Sequence, residues 1–204
     1  MMRNWILSAV AVAAMTFAPS QAKAGLVPIQ VSVMPDAGMY RFTYAVALPT
    51  DAVLRPGDYF TIYNFDGFVA GSAVSNGSVY SNDWSFSSAN LGPTPDGVGP
   101  TDDPSIPNLT WTYTGPVINL DASLGSTGLG NFWALSQYPN TTNSWFTAST
   151  GTVSGLTDNN ITPTTVPVPS APPPGVPEPA TLILAGLGLP LVAMFRKRKF
   201  TAGQ

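Results

Sequence analysis

The chain has 204 residues, a formal net charge of −3, and neither cysteine nor histidine. Without histidine there is no imidazole triad, no histidine-ligated zinc or iron and no imidazole pH switch; without cysteine, burial alone has to hold the fold together. Between residues 25 and 175 only Arg41 and Arg55 oppose ten aspartates, and a net −8 repels nucleic acid and anionic headgroups.

The first element is a processing signal. Arg3 supplies a positive start, Trp5 to Ala18 an apolar stretch, and Ala22-Lys23-Ala24 an A-x-A cleavage site. Residues 1–24 therefore read as a signal peptide, with Gly25 as the first residue of the mature chain. A first transmembrane anchor is the competing reading, but the apolar stretch is short and runs into Pro19 and small residues.

Beyond Gly25 the pattern has the period of strands. From Met39 to Leu48, Tyr40, Phe42, Tyr44, Val46 and Leu48 alternate with Arg41, Thr43, Ala45 and Ala47, which predicts a half-buried strand. Asn108 to Thr114 alternates as cleanly, with its threonines on the solvent side. Val27–Val33, Asp58–Phe65, Asp83–Ser87, Gly130–Ser136 and Ser144–Thr150 read similarly, with weaker candidates at Thr152–Leu156 and Ile161–Thr165. Pro56-Gly57-Asp58, Asp66-Gly67, Asn76-Gly77, Asp96-Gly97 and Ser126 to Gly128 supply turns between them.

No window sustains a helical period between Gly25 and Thr165, so the expected fold is all-β: an antiparallel β-sandwich of about eight strands, jelly-roll or Greek-key. At roughly 135 residues it is long enough to bury its own core. Ser88 to Pro107 holds five prolines and no apolar run, and reads as a long functional or mobile loop. The division is then 1–24 signal peptide, 25–161 exported domain, 162–175 a Pro/Thr-rich spacer, and 176–204 a tail.

The tail has three parts. Val176, Pro177, Glu178 and Pro179 open it: the two prolines fix φ and hold Glu178 extended, the form protease clefts accept. Residues 180–195 are apolar and would form a helix about 24 Å long, slightly short of a hydrocarbon core of about 30 Å. Snorkelling or local thinning closes that gap. Arg196, Lys197, Arg198 and Lys199 then stop transfer and hold their end in the cytoplasm. A buried core helix is the alternative, yet such a helix has no reason to follow a proline-rich spacer and end on four cations.

In this order the three parts resemble the PEP-CTERM sorting domain of exopolysaccharide-producing Gram-negative bacteria. That resemblance implies an exosortase, a membrane-embedded cysteine protease or transpeptidase, as the processing partner, and the inner membrane as a transient anchor. Arg55-Pro56-Gly57-Asp58-Tyr59-Phe60-Thr61-Ile62-Tyr63-Asn64-Phe65 and Asp102-Asp103-Pro104-Ser105-Ile106-Pro107-Asn108-Leu109-Thr110-Trp111 resemble exported domains found ahead of such tails. This second resemblance supports a common β fold and carries no activity with it.

Three site chemistries remain to be weighed. Asp96, Asp102 and Asp103 are weak calcium candidates, offering hard oxygen ligands without EF-hand spacing; turn chemistry is the usual explanation of such residues. Trp84, Trp111, Trp133 and Trp145, with seven tyrosines, are enough aromatics for a sugar-stacking face, although Trp111 shares its strand face with Leu109 and Tyr113 and reads as core. Asn131 and Trp133 lie opposite Phe132, and the alternation leaves open which side faces out. Glycoside hydrolysis needs paired acids, but the region has no glutamate to serve as a raised-pKa acid, and no G-x-S-x-G nucleophile motif is present. The expectation is therefore a non-enzymatic structural or interaction protein of the cell surface or extracellular matrix, without a cofactor. The alternative is a carbohydrate-binding module associated with exopolysaccharide.

Overall fold

A computed structural model of the protein describes residues 25–120 and 125–170. Eleven strands run through them: β1 (Val27–Asp36), β2 (Met39–Leu48), β3 (Ala52–Leu54), β4 (Tyr59–Ile62), β5 (Val74–Asn76), β6 (Trp84–Ala89), β7 (Asn108–Tyr113), β8 (Ile118–Asn119), β9 (Thr127–Ser136), β10 (Asn140–Thr152) and β11 (Thr157–Val168). Every pairing is antiparallel, and the described residues contain no helix. The all-β expectation holds, with eleven strands in place of the eight or so anticipated.

One sheet has the order β1-β2-β9-β5. In the other, β10 pairs with β11 along one edge and with both β3 and β4 along the opposite edge. β3 and β4 are in effect one strand broken by the Arg55–Asp58 turn, and β7 and β8, their outer neighbours, are broken at the matching level. β6 closes that side. Asp58 secures the break, because its carboxylate accepts the N–H groups of Arg55 at 2.7 Å and Gly151 at 3.3 Å. Burial pushes this carboxyl above the ordinary aspartate value, and the two N–H bonds and the Arg55 charge oppose that shift.

One apolar core lies between the sheets. Phe42, Tyr44, Val46 and Leu48 of β2, with Leu129, Phe132 and Ala134 of β9, meet Phe60, Ile62, Leu109, Trp111, Tyr113, Phe146 and Ala148 of the second sheet. Phe60 is its hub: its ring centroid lies 4.9 Å from Phe132, 5.1 Å from Phe146, 5.3 Å from Trp111 and 5.6 Å from Trp84. Fully burying each such side chain contributes about 1.5–3 kcal/mol, so a core without disulfides is sufficient here.

Three local expectations are corrected. The weak strand candidate Ile161–Thr165 lies within β11, but residues 162–168, also assigned to the spacer, are the second half of that strand, paired with β10 from Thr162↔Phe146 to Val168↔Asn140. The boundary at 161 therefore cuts a strand. Pro163 and Pro167 are tolerated because β11 is an edge strand and both share one phase along it, where a missing N–H removes no ladder bond. Thr152–Leu156 is the turn between β10 and β11, closed by Thr152 N–H to Leu156 O at 2.8 Å. Thr110 is 4% exposed, not solvent-facing, because the segment read as a long mobile loop covers it.

That segment, residues 90–107, lies across the outer face of the second sheet. Tyr63 Oη donates to Pro93 O at 3.0 Å, and Asn159 Nδ2 donates to Asp96 O at 3.0 Å. The loop thus reaches from β7 over β4 and β10 to β11. Its approach is close: a Cβ at Gly92 would meet Thr61 Cγ2 at 3.1 Å and Asn108 Cβ at 3.2 Å. Beneath it Thr61 and Thr147 are wholly buried. A sheet face that sequence alternation marks as polar is thus covered by the chain itself.

Candidate functional site

The returning limb of the loop is fastened at Asn64. This residue adopts φ 57°, a left-handed conformation that asparagine tolerates better than most side chains. Its N–H donates to Asn108 Oδ1 at 2.8 Å, its Oδ1 accepts Asp103 N–H at 2.8 Å, and its Nδ2 donates to Thr101 O at 2.9 Å. Asn108 Nδ2 meets both carboxylate oxygens of Asp102, at 2.9 and 3.0 Å. The two segments that resemble other exported domains therefore meet in one polar latch.

This geometry accounts for the acidic candidates. Asp102 is engaged by Asn108, and Asp103 caps its own turn by accepting Ser105 N–H at 2.9 Å and the Ser105 hydroxyl at 2.7 Å. The Ser105 hydroxyl, followed by its N–H, holds the Asp103 carboxyl below the usual aspartate value. Asp96 presents its carbonyl to Asn159. Among the described residues, no group of three or more acidic side chains is placed to hold a metal ion.

The four tryptophans separate into distinct environments. Trp111 is 1% exposed in the core, and Trp84 packs edge-on against Phe60 and Phe132. On β9 Phe132 points inward, so Asn131 and Trp133 face outward, which decides the open alternation. Trp133 is nevertheless capped: the Arg41 guanidinium lies 4.4 Å from its ring centroid and is itself paired with Asp36. The Nε1 of Trp133 is buried without an acceptor among the described residues.

Trp145 differs. It stands on the outer face of β10 opposite Pro163 of β11, just beyond the margin of the covering loop. With Asn64, Thr101, Asn143, Ser144 and Pro163 it lines an open cleft of about 470 Å³. Two of the polar groups are already committed: Ser144 donates to Tyr63 O at 2.7 Å, and Asn64 makes the bonds above. The Asn143 amide, the Thr101 hydroxyl and Trp145 Nε1 have no partner among the described residues. The sequence singled out Trp145 but neither Asn64 nor Asn143; the available signal for Asn64 was an asparagine near the end of the expected Asp58–Phe65 strand and just before Asp66-Gly67, where β4 in fact ends at Ile62.

The processing residues are placed differently. Gly25 is buried, and a Cβ there would meet Thr150 Oγ1 at 2.9 Å. Ala22 and Ala24, Val176 to Pro179, the helix expected at 180–195 and the basic run 196–199 lie outside the described residues. Among the described residues, no helix is long and apolar enough to cross a membrane.

Residues 175–199 match the profile of the PEP-CTERM protein-sorting motif. This match covers the three-part tail and supports the resemblance read from Val176 to Lys199. The motif marks the chain as an exported protein directed to sorting by an exosortase. A search of curated proteins finds no match to the chain.

Proposed function

We propose that this protein is a non-enzymatic structural or interaction protein of the cell surface or extracellular matrix, delivered by its sorting motif. The observation that carries this reading is the motif at 175–199, joined to a separately cored β unit by a short proline-rich connection. In this reading the signal peptide ends at Ala24, residues 180–195 anchor the chain in the inner membrane, and the β-sandwich stands outside it. The non-enzymatic part rests on the donor set, which lacks His, Cys and, outside the tail, Glu. The aspartates with visible roles cap turns and fasten the loop.

Sorting is tested by processing. In a host carrying an exosortase, the wild-type chain shifts to a smaller mature form. Pro177→Ala with Pro179→Ala frees the backbone around Glu178 and lets the helix extend upstream; neutralising residues 196–199 removes the stop. Both variants should accumulate unprocessed. If the double proline variant matures at the normal rate and size, residues 176–199 act only as an anchor.

A second reading, a carbohydrate-binding module associated with exopolysaccharide, is favoured by one observation: Trp145 is a partly open aromatic beside unpaired amide and hydroxyl groups in a cleft.

A further inference from the structure

We infer that the Trp145 cleft is a subsite for a neutral pyranose unit, with Trp145 as stacking platform and Asn143 and Thr101 as hydrogen-bonding partners to its hydroxyls. The inference rests on the carbohydrate reading and commits it to a place and a charge.

The place follows from elimination among the aromatics. Trp84 and Trp111 belong to the core, and the Trp133 ring is occupied by Arg41. Trp145 lines a cleft, and its Nε1 has no acceptor among the described residues. A pyranose offers one flat array of C–H groups and a rim of hydroxyls. An indole face satisfies the first, and an amide, a hydroxyl and an indole N–H satisfy the second. About 470 Å³ lies within the range of small-ligand clefts and exceeds a single sugar unit, leaving room for the chain to run on.

The site is also prepared. Asn64 and Ser144 form its floor and are locked by bonds to Thr101 O, Asp103 N–H and Tyr63 O. The latch fixes Thr101 at the rim, and Trp145 is backed by Pro163 across the β10–β11 ladder. A floor already ordered spares binding much of its entropic cost.

The charge follows from the lining. No charged side chain lines the cleft, and the nearest in sequence to Thr101 are Asp102 and Asp103. Both arginines of the described region are elsewhere and engaged, Arg41 with Asp36 and Arg55 with Thr152 O. A uronate or sulfated sugar would meet no cation and two nearby carboxylates, so a neutral unit is the fitting ligand.

The test uses the full chain in a zwitterionic detergent, since glycoside detergents would compete. Immobilised neutral glucan and mannan are compared with polygalacturonate at low salt. A neutral polysaccharide should bind, polygalacturonate should not, and Trp145→Ala should weaken binding about tenfold or more. Trp145→Phe should retain most of it, and Trp133→Ala, on the other sheet, should bind like wild type. Near-UV circular dichroism confirms that each variant is folded. If a neutral glycan binds Trp145→Ala as well as wild type, the cleft assignment is wrong while the carbohydrate reading stands. Equal binding of polygalacturonate overturns the neutral ligand. If no glycan binds at millimolar concentration, the carbohydrate reading fails and the inference with it.

Discussion

Asn64 and Asn108 are 44 residues apart in sequence and share a 2.8 Å hydrogen bond from the backbone N–H of the first to the side-chain oxygen of the second. Around this bond the covering loop, the end of β4 and the start of β7 become one rigid corner. Asn108 is wholly buried, and its Nδ2 donates to the Asp102 carboxylate, within 3.0 Å of both oxygens. Removing it leaves a part-buried N–H and a part-buried carboxylate without this partner, the costly kind of hydrogen-bond loss.

Asn108→Ala should therefore destabilise the domain by about 2–3 kcal/mol, at the upper end for a single polar deletion. Its effect should concentrate in the loop. Limited proteolysis should cut between residues 90 and 107 in the variant well before the wild-type loop is cut, with the core strands still protected. Equal cleavage rates would mean that contacts from Tyr63 and Asn159 hold the loop without the latch.

How much of this was legible beforehand depended on what each segment reports locally. β2 was read correctly at both ends, Met39 and Leu48, because one face meets the core and the other does not, so alternation carries through. β3, β5 and β8 span three, three and two residues, too few for any period to register. β11 is legible only in part, as the weak candidate Ile161–Thr165, for another reason. Thr162 to Val168 has the composition of a polyproline spacer, and an edge strand and a polyproline segment share nearly the same extended backbone. Only the partner strand β10 distinguishes them, and a partner is not a local property. The covering loop and the latch failed for that same reason, since Asn64 and Asn108 resemble ordinary strand-end asparagines until the chain brings them together. For the aromatics, sequence supplied the candidates, and register sorted core Trp111 from capped Trp133 and open Trp145.

Tyr44 joins the two sheets by a second long-range bond, its hydroxyl donating to Thr165 O of β11 at 2.8 Å. Burial holds its phenol well above the ordinary tyrosine value. With the folded pKa above the unfolded value of about 10, the contribution is fully present below pH 10 and is lost as pH rises through the folded value. Tyr44→Phe should cost about 1 kcal/mol at neutral pH through the lost bond. Above pH 10 the wild type should lose stability more steeply than the variant, by up to about 1.4 kcal/mol per pH unit. Urea melts across pH 8–11 measure both effects. Parallel curves would mean that Tyr44 ionises in the fold as freely as in the unfolded chain.

The strongest single test of the fold lies at Phe60. Its ring is wholly buried and touches four aromatic neighbours, three within the second sheet and Phe132 from the first. Phe60→Ala removes that shared contact and opens a cavity between rings that strands on both sides hold rigidly, so collapse offers little relief. The expected cost is about 3–5 kcal/mol. Set against the 5–15 kcal/mol typical of natural domains, and with no disulfide to limit the unfolded chain, this loss brings a protein of this size close to its folding threshold. Phe60→Leu fills most of the volume and should cost less than half as much, although it also loses the edge-on and stacked ring geometry. Thermal melts of the two variants beside Trp145→Ala, which removes a larger aromatic from the surface cleft, separate packing from aromatic content. Phe60→Ala should melt far below the other two and lose near-UV dichroism first. If Trp145→Ala is the more destabilised, the core is not centred where the two sheets share Phe60.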